Sequence, residues 1–383
     1  MSFNQYTWDL YKQTTIGIEM IKYFSDAGGY VLFKDYCPYA NFIPEDLYND
    51  WLENIYCYGV SDYDHPSLLE EAKDLYISLI TLGIRVEGQQ WLPANDFKNM
   101  LGIIQPMSYV LSQFAPEYFF PYLFLCRIFE LNKIADFFNI DLPNIPKRTD
   151  YKGRCMYYWE LCEVFYLFRK ENGLSPADLW SFLYDFAPNN LPSEKIDMPK
   201  PSQVWFIGGR LYQEDKSLES KFWQSSPETK KGDILVHYET SPISAITCIE
   251  ISLTDGVIDP LFRYYGCIYI GNRINIPYIT LKELQTDEYF FKHPLVRKNF
   301  QGVNGWSVNS ENYSELLRMI KTKGFDIEVL PKLYAPTLPK DVIIEYEHDV
   351  EQQLLEPLLN SMGWYENKDF IRQLPIQAGR GHR

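Results

Sequence analysis

Four short apolar runs between Gln203 and Ile320 constrain this chain most, because they are strand-length and follow one another closely. They are Val204-Trp205-Phe206-Ile207, Gly232 to Tyr238, Ala245 to Glu250 and Gly266 to Ile270. Runs rich in β-branched and aromatic residues, bounded by turn formers, read as strands. Between the first two lies Phe222-Trp223-Gln224-Ser225-Ser226, so the stretch reads as one compact β-rich module with a tryptophan set into it.

The order of these elements resembles the EVE and YTH members of the PUA-like superfamily, small barrels that hold a modified base in an aromatic cage. The resemblance implies a base-binding set. Trp223 stands where these families carry a cage tryptophan, followed by the small polar Ser225. Tyr212 and Asp215 match a stretch where a tyrosine and an acid flank the base, and Phe262 and Tyr238 complete the implied set. An aromatic face stacks on a base for about 1–3 kcal/mol. Buried polar groups then discriminate, since leaving them unpaired is costly. The loop from Ser252 to Tyr265 holds Phe262, Tyr264 and Tyr265 but no tryptophan, which implies a looser cage or another ligand. On the residues alone, aromatics are 16% of the chain, so Trp205 and Trp306 read as core and Trp223 fits core or cage. His237 reads as a packed histidine.

Toward the C-terminus, Glu347 and Glu351 are spaced i, i+4 and share a helix face, with Val350, Leu354, Leu355, Leu358 and Leu359 as an apolar stripe. With Met362-Gly363-Trp364 and Phe370 to Gly381, this resembles the opening of the PD-(D/E)xK nuclease fold, as in the N-terminal domain of type I restriction motor subunits. The resemblance implies Glu347 and Glu351 as catalytic candidates and Mg²⁺ for a complete nuclease. Hydrolysis by such folds needs carboxylates on the metal and a lysine beside the attacking water. The residues that would complete the site belong after Gly379-Arg380-Gly381, so no nuclease activity, cofactor or metal is expected of the chain as given. A solvated helix face is the alternative for both glutamates.

The first 190 residues read as helices. Ser67 opens one, Asp150 to Lys170 forms another, and Ser175-Pro176 with Asp178 is the clearest start signal: serine cap, proline at the first helical position, early acid. Pro121 to Phe129 reads as an apolar helix, Cys155 and Cys162 as core thiols, and Arg127 and Arg154 as partners in structural ion pairs, with the lining of a pocket as the alternative. The turn Gly173-Leu-Ser-Pro176 suits a helix-turn-helix, but the helix that follows has no Arg or Lys to reach bases and reads as buried.

Charge separates the regions. Residues 1 to 200 carry 16 basic and 27 acidic side chains, against 12 and 14 over residues 201 to 320. An acidic first half repels phosphate, so nucleic acid is expected at the middle module, where Arg210, Lys216, Lys221, Lys230 and Lys231 bracket Trp223. The acidic helical part suits a protein partner or a second copy of itself. Seven cysteines without a CxxC or Cys/His cluster suit a reduced cytoplasm and no zinc site. Neither a signal peptide nor a membrane span is apparent.

The expectation is an α+β protein: a helical N-terminal domain over residues 1–190, a linker over 191–202, an EVE/PUA-like β-barrel over 203–325, a linker over 326–340, and a truncated restriction-endonuclease-like α/β segment over 341–383. The two resemblances together imply the base-recognising component of a modification-dependent restriction endonuclease acting on DNA in phage defence. The alternative is a YTH-like reader of modified RNA without catalysis. A third reading is a structural protein whose aromatic pocket is filled by its own side chains.

Overall fold

Apolar patterning divides the chain into two compact units, and the division does not follow chain order. Unit 1 comprises Met1–Glu194 together with Val257–Gly266; unit 2 comprises Lys195–Gly256 and Cys267–Arg383. The computed structural model describes residues 3–37, 40, 43–82, 85–86, 89–90, 95–192, 198–211, 220–334, 344, 346–362 and 364–371. Among these, no helix is long and apolar enough to cross a membrane.

Unit 1 is mostly helical. Helix α1 (Tyr151–Glu171) starts where Asp150 accepts a hydrogen bond from the Gly153 N–H, and it buries Cys155, Trp159, Cys162 and Phe165. Helix α2 (Pro176–Ser181) carries the expected start: Ser175 and Asp178 form a reciprocal capping box. The chain then runs through a buried π turn, Phe182–Phe186, which makes this region core rather than a DNA-reading helix.

One expectation fails here. Pro121 to Phe129 is not a helix: residues 121–124 are non-helical, and the next helix spans Ile128–Phe138. Apolarity signalled burial correctly, since Tyr122, Leu123 and Phe124 are buried. The backbone partners, however, come from elsewhere. Ser108 Oγ accepts from the Tyr122 N–H at 2.8 Å, and the Tyr184 hydroxyl accepts from Leu123 N–H at 3.2 Å while donating to the Pro121 carbonyl at 2.5 Å. These contacts meet the demand that buried backbone groups be paired.

Unit 2 is a curled mixed sheet, a half-barrel, with helices on one face. Its strands are β1 (Val204–Gly209), β2 (Ser220–Gln224), β3 (Ile234–Glu239), β4 (Ala245–Ser252), β5 (Gly266–Thr280) and β6 (Trp306–Val308). The spatial order is β2-β5-β4-β3-β1-β6, with β1 parallel to β3 and every other pairing antiparallel. Register shifts within the β3/β4 and β4/β5 pairings bend the sheet. Period-two alternation assigns the faces. Val204, Phe206, Ile234 and Val236 join a cluster with Leu284, Leu295, Leu316 and Ile320, which lie on helices α3 (Leu281–Thr286), α4 (Pro294–Arg297) and α5 (Ser310–Thr322). Trp205, Ile207, Leu235, Ile268 and Ile270 form a separate cluster against Trp223. Central strands buried on both faces explain why the first apolar runs lack a polar alternate.

Candidate functional site

Polar side chains gather where strands β2, β3, β4 and β5 bring alternate residues together around Trp223. Glu250, 2% exposed in the middle of β4, is the hub. Its Oε2 accepts from His237 Nδ1 on β3 at 3.0 Å, and its Oε1 accepts from Arg273 Nε on β5 at 2.9 Å. Lys221 Nζ, on β2, lies 3.2 Å from the same Oε1 as an ion-pair contact without hydrogen-bond alignment. Burial alone would raise the Glu250 carboxyl, but His237, Lys221 and Arg273 outweigh it and hold the group ionised. Burial pushes His237 below the ordinary imidazole range against the pull of Glu250, which favours the neutral ring at neutral pH. An ionised carboxylate takes the Nδ1 proton, which leaves His237 Nε2 as a lone-pair acceptor.

Trp223 sits in the middle of this group. Its ring lies 4.8 Å from that of His237, edge to face, and 5.2 Å from Lys221 Nζ. Gly209 makes room for it, since a Cβ there would come within 2.5 Å of Trp223 Cζ2. The indole is half-buried. Its own Nε1 and two buried nitrogens beside it, Lys221 Nζ and His237 Nε2, have no hydrogen-bond partner among the described residues. Trp205, by contrast, donates to Asp233 Oδ2 at 2.9 Å and is core, as its position in an apolar run suggested.

Could the cluster hold a metal? His237, Cys248 and Glu250 offer one ligand atom each within 4.8 Å of one another. The donor set does not fit a dication. Both Glu250 oxygens already serve His237, Lys221 and Arg273, and burial pushes the Cys248 thiol up to about 12. Two cations beside the site add repulsion.

The residues singled out from sequence scatter. Trp223 is in this site. Ser225, two residues on, is buried and shares a 2.9 Å hydrogen bond with Thr229 Oγ1. Tyr238 turns to the helix-covered face, where it stacks on Phe300 at 4.0 Å. Phe262 belongs to unit 1, and its carbonyl accepts from Arg154 Nη2 at 2.6 Å. Tyr212 and Asp215 lie outside the described residues. Arg154 bonds to carbonyls, including Pro260 O at 2.8 Å, where an ion pair was expected, whereas Arg127 does pair with Glu130.

Glu347 begins a four-residue α segment, Glu347–Val350, and Glu351 begins a π turn, Glu351–Leu355. The wider π turn changes the angular spacing assumed for an i, i+4 face. No residue from His348 to Ser361 is buried. Farther on, Lys230 contacts Asp369 and lies 4.8 Å from the Trp364 ring, while Lys368 Nζ is 2.8 Å from Asp255. These contacts hold residues 364–369 to the sheet's own loops. They also engage Lys230, and Glu250 holds Lys221 in an ion pair, so two cations expected to meet phosphate have carboxylate partners within the chain.

The sequence could have shown more of this. A glutamate inside Ala245-Ile-Thr-Cys-Ile-Glu250-Ile signals a buried charge needing partners, although spacing does not say which.

No family model and no curated protein matches the chain. Two solved structures are similar over about a third of it. The NMR structure of Rpa0253 from Rhodopseudomonas palustris is 14% identical, covering 31% of this chain and 94% of that one, with a TM-score of 0.28. A hypothetical protein from Leishmania major is 12% identical, covering 32% and 98%, with a TM-score of 0.27. Similarity at this level carries no argument about fold or function.

Proposed function

We propose that unit 2 binds a modified base of DNA with Trp223 as its stacking platform, and that the chain serves as the base-recognising component of a modification-dependent restriction system. The observation that carries this reading is the half-buried Trp223 indole, laid over Gly209 and edged by His237. A flat aromatic face with polar groups at its rim supplies stacking and edge contacts together. The reading assigns no bond cleavage to Glu347 or Glu351; Mg²⁺ and further carboxylates belong to a complete nuclease.

The test is binding at fixed salt of single- and double-stranded DNA and RNA carrying unmodified, methylated, hydroxymethylated or carboxylated bases. Trp223→Leu keeps apolar volume but removes the π face. It should weaken binding of a modified DNA by about 1–3 kcal/mol, roughly fivefold to 150-fold, with the fold intact by circular dichroism. Unchanged affinity in the variant would make Trp223 core. Preference for modified RNA would replace the restriction reading with the YTH-like one.

A further inference from the structure

We infer that the ligand of this site is an aminated planar base carrying an anionic or carbonyl oxygen on its substituent, and that Lys221 selects it over a plain methylated base. The inference rests on the base-binding reading above. Two buried nitrogens without hydrogen-bond partners among the described residues, Trp223 Nε1 and His237 Nε2, lie beside the Lys221 ammonium, which Glu250 holds in an ion pair without an aligned hydrogen bond. An unpaired buried donor or acceptor is costly unless a ligand meets it. Their polarity is specific. Lys221 Nζ and Trp223 Nε1 are donors and ask for oxygen. His237 Nε2, with its Nδ1 proton committed to Glu250, is an acceptor and asks for an N–H.

Charge points the same way. Among the described residues, the charges that act most on Lys221 are Glu250, which attracts it, and Arg273, which repels it, so these two cations share the Glu250 carboxylate. A single negative or strongly polarised oxygen from the ligand would balance them in a site where charge is poorly screened. Burial pushes Lys221 down from the ordinary lysine range, in keeping with its incomplete compensation. A methyl group would meet none of these demands.

The experiment uses the full chain and DNA oligonucleotides carrying cytosine, 5-methylcytosine, 5-formylcytosine or 5-carboxylcytosine, with affinity measured at one stated salt. The carboxylated DNA should bind about tenfold or more tighter than the methylated one, the factor expected of one charge-assisted hydrogen bond. Lys221→Met should erase that ratio, with the fold intact by circular dichroism. If Lys221→Met does not fold, Lys221→Gln carries the same test, with the ratio reduced. Methylated DNA binding as tightly as carboxylated, or a preference that survives loss of the ammonium, overturns the inference alone. Failure of every oligonucleotide to bind overturns the base-binding reading with it.

Discussion

Asp259 and His237 are fully buried titratable groups, and they make opposite demands on pH. Asp259 accepts from the backbone N–H groups of Cys126 at 3.1 Å, Leu261 at 2.9 Å and Phe262 at 3.1 Å. Burial nonetheless raises its carboxyl to about 6, more than those bonds and Arg154 lower it. Between its ordinary 3.8 and about 6, the folded chain holds a proton that the unfolded chain has released. Stability from this group therefore falls as pH rises through that window. The urea midpoint of the parent, relative to Asp259→Asn, should rise as pH is lowered from about 6 to about 4; a flat difference would contradict the assignment. His237 runs the other way. Its folded pKa lies below the ordinary 6.5, so on acidification the unfolded chain takes up a proton that the folded one refuses, and stability is lost. Glu250 is the most sensitive single position: Glu250→Gln strands Lys221 and Arg273 and should cost about 3–5 kcal/mol, measurable by urea unfolding.

At the scale of elements, the extended segment around Tyr122 depends on a hydroxyl from far along the chain. Tyr184→Phe removes the acceptor of Leu123 N–H and the donor to Pro121 O, both buried. The change should destabilise the protein by about 1–3 kcal/mol, as read by thermal or urea unfolding; a neutral effect would mean that the segment finds other partners. This segment also marks where the sequence stops being legible. Strands Val204–Gly209, Ile234–Glu239 and Ala245–Ser252 and the capping box at Ser175 follow from local apolar runs and local side-chain chemistry. Residues 121–124 do not, because their partners Ser108 and Tyr184 lie 14 and 61 to 63 positions away. The polar cluster was hidden for the same reason. Lys221, His237, Glu250 and Arg273 meet only once the strand registers, with their shifts, are set. Trp223 was visible as a residue, but its neighbours were not.

At the scale of the whole chain, residues 364–369 are tied to unit 2 by Lys230 and Lys368. Lys230→Ala should loosen that segment, and trypsin should then cut faster after Lys368; an unchanged rate would mean that Lys368–Asp255 suffices. The division into units has a consequence for anyone cutting the protein apart. Val257–Gly266 belongs to unit 1 although both flanking stretches belong to unit 2. An isolated 1–194 fragment would lose Asp259, which accepts from the Cys126 N–H, and would lose the Pro260 and Phe262 carbonyls that hold the Arg154 guanidinium. An isolated 195–383 fragment would carry Leu261 stripped of the core that buries it. Neither half is a self-sufficient clone: the boundary is a loan of ten residues, and a working dissection would have to graft that decapeptide back onto the helical half.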